Sequence, residues 1–287
     1  MIILKIMELR KDLVSFPTPF LRALNRDNYN KGHSQFSVTG LLSPPQRTYL
    51  GTFSTKVESG YSSFAALLGT AVHSVLEHHV DLTNGERAEE RFFHTILDTV
   101  VSGQIDFYEN GTIFDYKVTG GTQEEAKPDH RAQAQMNGFL ASINGVPVNQ
   151  VAVVYLQRDW SYLQSTVNPA YPKSPFRVFL ADYDSVGAEK EFLTRIPEHL
   201  AAVAGNPRPC TPDEQWAKPD SFALMKPGAK RASKLCATLA EAEAEKKPGQ
   251  IIQTRKGEKT FCKYFCGFHM HCPQFKRESA AEPNFEE

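Results

Sequence analysis

The alternation of apolar and polar positions along the chain predicts an ordered series of helices and strands. Residues 62–81 carry apolar side chains at helical spacing, which predicts a long amphipathic helix. The near-continuous apolar run at 149–157 is typical of a strand buried on both faces. Further helices are predicted at 122–142 and 185–204, and a further strand at 176–184.

The segment GQIDFYENGTIFDYKV, residues 103–118, predicts a β-hairpin. Asn110-Gly111 between alternating apolar residues is the signature of a two-residue type I′ turn. That turn places Asp106 opposite Asp115 and Gln104 opposite Lys117. Since side chains alternate along a strand, Asp106, Asp115 and Lys117 share one face. The other face, which we expect to meet the core, carries Ile105, Phe107, Phe114 and Tyr116. Because a helical segment links this hairpin to the apolar run, a βαβ unit with parallel strands at 112–118 and 150–157 is predicted.

The two opposed carboxylates suggest a metal site. Their Cβ atoms would lie about 5 Å apart, where like charges repel unless a proton or a cation intervenes. Two carboxylates suit a hard divalent ion such as Mg²⁺ or Mn²⁺. Lys117 would then reach whatever the metal holds. From these residues alone, a solvated hairpin face with two acids and a lysine remains the alternative.

Composition narrows the class of protein. The 287 residues include 32 basic and 33 acidic ones, with a pI near 6.8. This balance excludes a strongly basic protein that coats nucleic acid, but it allows a local basic groove. The apolar run in MIILKIMELRKD is too short for a signal peptide, and no apolar stretch approaches the length of a membrane span. Five cysteines do not suggest a secreted disulfide framework, so we expect an intracellular, cytoplasmic protein without membrane partners.

Four short blocks together resemble a known family. They are GTAVHSVLE (69–77), GQID (103–106), DYK (115–117) and QMNGF (135–139). Their order and spacing resemble the PD-(D/E)XK nuclease superfamily, in its RecB-like exonuclease branch, with its pattern G-x-x-x-H, G-x-x-D, D/E-x-K and Q-x-x-x-Y. Phe139 departs from the usual tyrosine. The stretch SVTGLLSPP resembles phage-encoded members.

The resemblance implies an α/β fold with a restriction-endonuclease-like core. A central mixed sheet flanked by helices would occupy residues 1–204, and a cysteine-rich extension packed on that core would occupy 205–287. The implied metal ligands, for one or two Mg²⁺ or Mn²⁺ ions, are His73, Asp106, Asp115 and the Tyr116 backbone carbonyl. Lys117 would orient or deprotonate the attacking water, and Gln135 would steady Lys117 or the DNA backbone, with Gln133 as its rival. A further acid stays open among Glu86, Glu89 and Glu90.

The implied activity is that of a metal-dependent DNA exonuclease in recombination, repair or phage replication. Its partner would be DNA with free ends, single- or double-stranded, together with further copies of the chain or a recombination partner protein. A structure-specific endonuclease and a non-catalytic DNA-binding module of the same fold are the alternatives.

The segment FCKYFCGFHMHCPQF, residues 261–275, contains a C-x₃-C-x₅-C cluster. Several RecB-like nucleases hold an iron–sulfur cluster with one distant and three C-terminal cysteines, so the resemblance implies a [4Fe–4S] cluster here. The predicted ligands are Cys236, Cys262, Cys266 and Cys272, with Cys210 as the alternative to Cys236. A zinc site with His269 or His271, and unligated cysteines, remain open.

Basic residues between positions 226 and 259 could follow a phosphate backbone or form a solvated face. They are Lys226, Lys230, Arg231, Lys234, Arg255, Lys256 and Lys259.

Overall fold

A computed structural model describes residues 18–24, 30–54 and 60–280, and within them the fold is a mixed α/β arrangement. The helices are α1 Thr18–Leu24, α2 Val38–Leu41, α3 Pro45–Phe53, α4 Gly60–Glu77, α5 Pro128–Ile143, α6 Tyr162–Val167, α7 Ser185–Val203, α8 Leu239–Glu245 and α9 Pro273–Ala280. No helix in these ranges is both long and apolar enough to cross a bilayer. The N-terminal apolar run, residues 1–12, lies outside the described residues.

The strands in the described part of the chain form three sheets. They are β1 Phe36–Ser37, β2 Arg87–Ala88, β3 Arg91–Ile96, β4 Thr99–Gln104, β5 Phe107–Glu109, β6 Thr112–Thr119, β7 Gln150–Gln157, β8 Phe176–Asp182, β9 Ser221–Met225, β10 Lys234–Cys236 and β11 Ile251–Arg255. The orders are β1-β4-β3, β2-β5-β6-β7-β8 and β10-β9-β11. In the five-stranded sheet β6 and β7 are parallel, from Thr112↔Gln150 to Thr119↔Gln157, which confirms the predicted βαβ unit with α5 as its crossover.

The chain divides into two compact units. The first contains residues 1–49 and 58–208, and the second contains residues 50–57 and 209–287. The predicted boundary after residue 204 is therefore too early. Beyond the end of α7, Arg208 still pairs with Glu198 of that helix at 3.0 Å, which keeps the intervening residues in the first unit. The predicted extension also lacked residues 50–57.

The Asn110-Gly111 turn is confirmed. Both residues have positive φ, 49° and 83°, and the flanking strands pair Phe107↔Phe114 and Glu109↔Thr112. The predicted strand before this turn is too long. Only Phe107–Glu109 pair with β6, and the residues before Phe107 leave that ladder. Gln104 pairs with Arg91 of β3, not with Lys117.

A second hairpin, which the sequence analysis missed, precedes the first. Strands β3 and β4 pair from Ile96↔Thr99 to Arg91↔Gln104, around Leu97-Asp98 with φ of 48° and 56°. The same register resumes in β2 and β5, where Arg87 pairs with Tyr108. Residues 87–96 and 99–108 therefore form one bent hairpin whose ladder is interrupted at Glu89.

The predicted assignment of the β6 faces is also wrong. Ile113 and Asp115 are 1 % and 2 % exposed, whereas Phe114 and Tyr116 are half-buried. Helix α5 covers the Ile113 face, since Gly138 lies against Val151, the neighbour of Ile113 in β7. The core of the first unit is continuous with this face. Its buried members include Leu41, Ile105, Ile113, Met136, Leu140, Val151, Tyr155, Phe192 and Ile196.

In the second unit, β9 lies between β10 and β11, both antiparallel to it. Helix α8 closes a small core of Leu224, Cys236 and Ala242. Thr238 caps α8 by accepting the N–H of Glu241.

Candidate metal centre and cysteine cluster

Helix α4 brings His73 to the interruption in the bent hairpin. His73 Nδ1 lies 3.0 Å from Glu89 Oε1 and 3.6 Å from Asp106 Oδ1. The ligand atoms of His73, Glu89 and Asp106 lie within 4.8 Å of one another. Within residues 18–24, 30–54 and 60–280, this is the one group of three or more His, Cys, Asp or Glu side chains with such spacing. A nitrogen and two carboxylates from three segments therefore converge on one point.

The backbone explains why the two carboxylates meet. The Glu89 N–H donates to the Asp106 carbonyl at 3.2 Å, so these residues continue the hairpin register. Glu89 has a φ of 51°, a left-handed conformation that is uncommon for non-glycine residues. The Tyr116 N–H donates to Asp106 Oδ2 at 2.7 Å. Glu89, Asp106 and the start of the DYK block thus lie side by side on three adjacent segments.

The structure selects Glu89 from the three acids that the sequence left open. The Glu86 side chain accepts the Asp81 N–H at 2.8 Å, and Glu90 pairs with Arg87 at 3.0 Å. Glu89 alone of these three reaches His73. Its position could have been found from the hairpin register, but Leu97-Asp98 carries no Asn-Gly or Asp-Gly turn signature.

Asp115 and Lys117 form a buried ion pair next to this group. Lys117 Nζ donates to Asp115 Oδ1 at 2.9 Å and lies 2.7 Å from Oδ2. Asp115 was predicted as a metal ligand, but it does not belong to the His73 group in this structure because its carboxylate faces Lys117. The Tyr116 backbone, between these two residues in sequence, helps to raise the pKa of His73 and therefore lies beside the group.

The raised pKa values of Asp106 and Asp115 indicate that too little positive charge surrounds these two carboxylates. Burial, followed by the neighbouring Asp115 charge, raises the pKa of Asp106 to about 7. Burial also raises the pKa of Asp115, although Lys117 opposes the shift. The hydrogen bond to Glu89 is the largest cause of a raised pKa at His73. A divalent cation would relieve this imbalance, since an opposite charge favours the ionised carboxylate.

Gln135 does not reach Lys117. Its Nε2 donates to the Asp182 carbonyl and its Oε1 accepts the Asp184 N–H, both at 2.9 Å, so it fastens the turn between β8 and α7. Phe139 packs on Phe192 of α7, with ring centroids 5.6 Å apart. The predicted contact of Gln135 with Lys117 is therefore wrong. The side chains of the Q-x-x-x-Y match at 135–139 face α7 and the turn before it.

Gln133 lies on the face of α5 that meets the sheet near Lys117, whereas Gln135 does not. On α5 it lies three residues after His130 and four before Asn137, so the three share one face of the helix. His130 reaches the sheet face of Lys117, because it bonds Tyr155, the register partner of Lys117 in β7. Asn137 donates to the Gln104 carbonyl at 2.9 Å. Gln133 is half-buried between these two anchors and makes no side-chain hydrogen bond to a described residue.

His130 was not identified from the sequence. Its Nδ1 lies 2.8 Å from the Tyr155 hydroxyl, which also accepts the Lys127 N–H at 2.9 Å. Burial, followed by the charge of Lys117, lowers the pKa of His130 to about 4. The imidazole beside Lys117 is therefore neutral at physiological pH.

The structure places Cys236 and Cys210 in different surroundings. Cys236 is 1 % exposed inside the small core with Leu224 and Ala242. Cys210 instead lies near the C-terminal trio: burial raises its pKa to about 12, and Cys262, Cys272 and Cys266 each contribute. Gln274 of α9 holds the Cys210 backbone, donating to its carbonyl at 2.9 Å and accepting its N–H at 2.8 Å. Because Cys236 belongs to a separate hydrophobic core, its nearness in sequence to the trio is not a guide to its surroundings.

The C-terminal trio lies in a buried, compact segment. Cys262, Cys266 and Cys272 are 7–8 % exposed. The Phe275 N–H points at Cys272 Sγ at 3.5 Å, the kind of contact that stabilises a metal-bound thiolate. No three cysteine sulfurs among the described residues lie within 4.8 Å of one another, whereas tetrahedral zinc with 2.3 Å bonds holds its sulfurs about 3.8 Å apart. His269 Nδ1 is engaged by the Cys266 carbonyl at 2.9 Å.

Comparison with known proteins adds little. No known protein family matches the chain. No curated protein matches it either. Among solved structures, the chain is similar to the crystal structure of SSO0001, with 16 % sequence identity, a TM-score of 0.40, and coverage of 61 % of this chain and 79 % of that one.

Proposed function

We propose that this chain is a divalent-metal-dependent DNA nuclease with a PD-(D/E)XK core. The observation that carries the proposal is the convergence of His73, Glu89 and Asp106 within 4.8 Å, next to the Asp115–Lys117 pair. Three of the four sequence blocks that resemble one family thus meet in space, together with an acid that the blocks did not contain.

The donor set fits a divalent cation. Two carboxylates and one imidazole suit Mn²⁺ and Mg²⁺, with the nitrogen favouring Mn²⁺. His73, Glu89 and Asp106 would hold the ion, with the Tyr116 carbonyl close by. When bound, such an ion supplies charge for the scissile phosphate and lowers the pKa of a water ligand.

The remaining residues have separable tasks. Asp115 holds the Lys117 ammonium within 2.9 Å, so the lysine stays in one place without substrate. Lys117 would orient the attacking water and stabilise negative charge on the phosphorus-centred transition state. Gln133 has unused hydrogen-bonding groups and would contact the substrate backbone or Lys117. The neutral His130 adds no positive charge beside the lysine.

We further propose that cleavage begins at DNA ends. Metal and lysine read phosphate groups, which carry no sequence information. An unselective internal nuclease would damage its host genome, so access through a free end is a plausible safeguard. This choice rests mainly on the family resemblance, and an endonuclease is the second candidate.

We propose an iron–sulfur cluster held by Cys210, Cys262, Cys266 and Cys272. Four cysteines are the ligands that a [4Fe–4S] cluster needs, and Cys210 lies near the other three. Burial raises the pKa of the Cys262 thiol to about 11 and that of the Cys210 thiol to about 12, so these two thiols stay protonated unless a metal compensates the charge. The cluster would stabilise the second unit.

A time course on end-labelled linear DNA and on closed circles, with Mn²⁺, Mg²⁺ or EDTA, tests the activity. We expect metal-dependent shortening of linear DNA by the wild type and persistence of circles. Lys117→Ala should abolish cleavage, while Lys190→Ala, an exposed control on α7, should not. Cleavage by Lys117→Ala at the wild-type rate would refute the site. Equal cutting of circles would replace the exonuclease by the endonuclease.

A further inference from the structure

The second unit contains two copies of the same turn. Residues 226–229 and 247–250 both begin Lys-Pro-Gly. In each, the fourth N–H donates to the lysine carbonyl, at 3.0 Å and 3.1 Å. The glycines have φ of 77° and 78°. Proline at the second position and a left-handed glycine at the third define a type II β-turn.

The two turns lie at the same end of the three-stranded sheet. The first follows Met225, the last residue of β9, and the second precedes Ile251, the first residue of β11. Met225 and Ile251 are register partners, so the turns emerge next to each other. Gln250 Nε2 donates to Ser233 Oγ at 2.7 Å and joins the two loops directly.

Together these loops present a concentrated positive charge. Five exposed cations lie in residues 226–233 and 246–250, and neither stretch contains an acidic residue: Lys226, Lys230, Arg231, Lys246 and Lys247. None of the five forms an ion pair with a residue that the structure describes. The neighbouring Lys234 differs, since Glu245 of α8 neutralises it. The chain as a whole carries a net charge of −1.

We propose that this pair of Lys-Pro-Gly turns binds the phosphate backbone of DNA. The Pro-Gly turns fix the backbone that carries the cations, so less backbone entropy is lost when phosphates bind. Because these five cations form no ion pair with a described residue, none of those pairs has to break when phosphate binds. Lys and Arg contacts to phosphate give sequence-independent affinity that falls steeply with salt. A polyanion with closely spaced phosphates matches five cations on two adjacent loops.

The choice of DNA rests on the proposed nuclease function, and binding without metal tests it separately. The probe is a fluorescein-labelled 30-nucleotide single strand, titrated in EDTA at several salt concentrations by anisotropy. The test variant replaces all five cations by glutamine. The control, Lys190→Gln with Lys276→Gln and Arg277→Gln, removes exposed cations outside the turns.

We expect the five-fold variant to bind at least about tenfold more weakly at 0.1 M salt. Its log Kd should depend less steeply on log salt, by roughly 3.5 in slope, at about 0.7 for each of five lost phosphate contacts. The control should change either value much less. Losses in proportion to the charges removed, five in the test variant and three in the control, would reduce the effect to net charge and overturn the proposal. So would wild-type affinity in the test variant, or no DNA binding by the wild type.

Two further readouts separate the competing outcomes. Circular dichroism spectra and melting curves should match between wild type and test variant, because all five side chains are exposed. If they do not match, one variant that replaces only Lys226, Lys230 and Arg231 and another that replaces only Lys246 and Lys247 provide independent tests. Vesicles containing phosphatidylserine form a second arm, and loss of vesicle binding with unchanged DNA binding would overturn the proposal in favour of a membrane surface. If the protein binds DNA through the turns in a salt-sensitive way but cleaves no DNA, the proposed nuclease function is wrong and the proposed DNA-binding role of the turns stands.

Discussion

Replacing Asp106 by asparagine should stabilise the metal-free protein. The pKa of Asp106 rises from 3.8 to about 7 in the folded state. Between these values the folded protein keeps a proton that the unfolded chain has released, so the free energy of unfolding falls as pH rises. At about 1.4 kcal/mol per pH unit, the full penalty at pH 8 is roughly 4 kcal/mol. Because Asp115 and His73 share the interaction, we expect about 2–4 kcal/mol. Asparagine can still accept the Tyr116 N–H.

The assay is thermal unfolding of wild type and Asp106→Asn in EDTA and in Mn²⁺. At pH 8 in EDTA the variant should melt roughly 5–10 °C higher, and at pH 4.5 the two should agree within about 1 kcal/mol. Mn²⁺ should raise the melting temperature of the wild type alone and narrow the gap, since a ligand stabilises the state that binds it. Equal melting temperatures at pH 8, or a difference that does not change with pH, would refute the reasoning.

Three further predictions follow from single contacts. Cys210→Ser should lose the iron and the broad absorbance near roughly 400 nm of anaerobically purified protein, and Cys236→Ser should retain both; elemental analysis decides, and the reverse result would restore the original ligand choice. Gln133→Ala should lower the cleavage rate more than Gln135→Ala, which should chiefly reduce stability; equal kinetic losses would contradict the placement of α5. Gly103→Ala should destabilise the fold by about 1–3 kcal/mol in urea unfolding, because the added Cβ would lie 2.5 Å from an asparagine oxygen of α5; wild-type stability would show that this contact relaxes freely.

Local patterns were sufficient for the elements that contain their own signal. The Asn110-Gly111 turn and the apolar run of β7 were predicted because turn chemistry and continuous hydrophobicity act within a few residues. The parallel pairing of β6 and β7 followed from the rule for βαβ units. Strand β6 contains Asp115 and Lys117, and Asp106 directly precedes β5.

Long-range register could not be predicted in the same way. The hairpin at Leu97-Asp98 lacks the residues that mark tight turns, so the position of Glu89 beside Asp106 was not visible. The identity of the α5 glutamine depends on which helix face meets the sheet, and Gln133 and Gln135 are only two residues apart. Cys236 lies in a small hydrophobic core and Cys210 lies near the C-terminal cysteines. Distance along the sequence does not reveal this difference.

The left-handed backbone at Glu89 has a consequence for the history of the molecule. A non-glycine residue in this conformation carries strain of about 1–3 kcal/mol, whereas glycine adopts it freely. Selection for folding alone would therefore replace this glutamate by glycine or asparagine, and under the proposed function selection for metal binding would oppose the change. A copy of the gene released from that proposed task should lose the acid early and gain stability. Position 89 is thus a place where a descendant that has lost activity could be recognised from one codon.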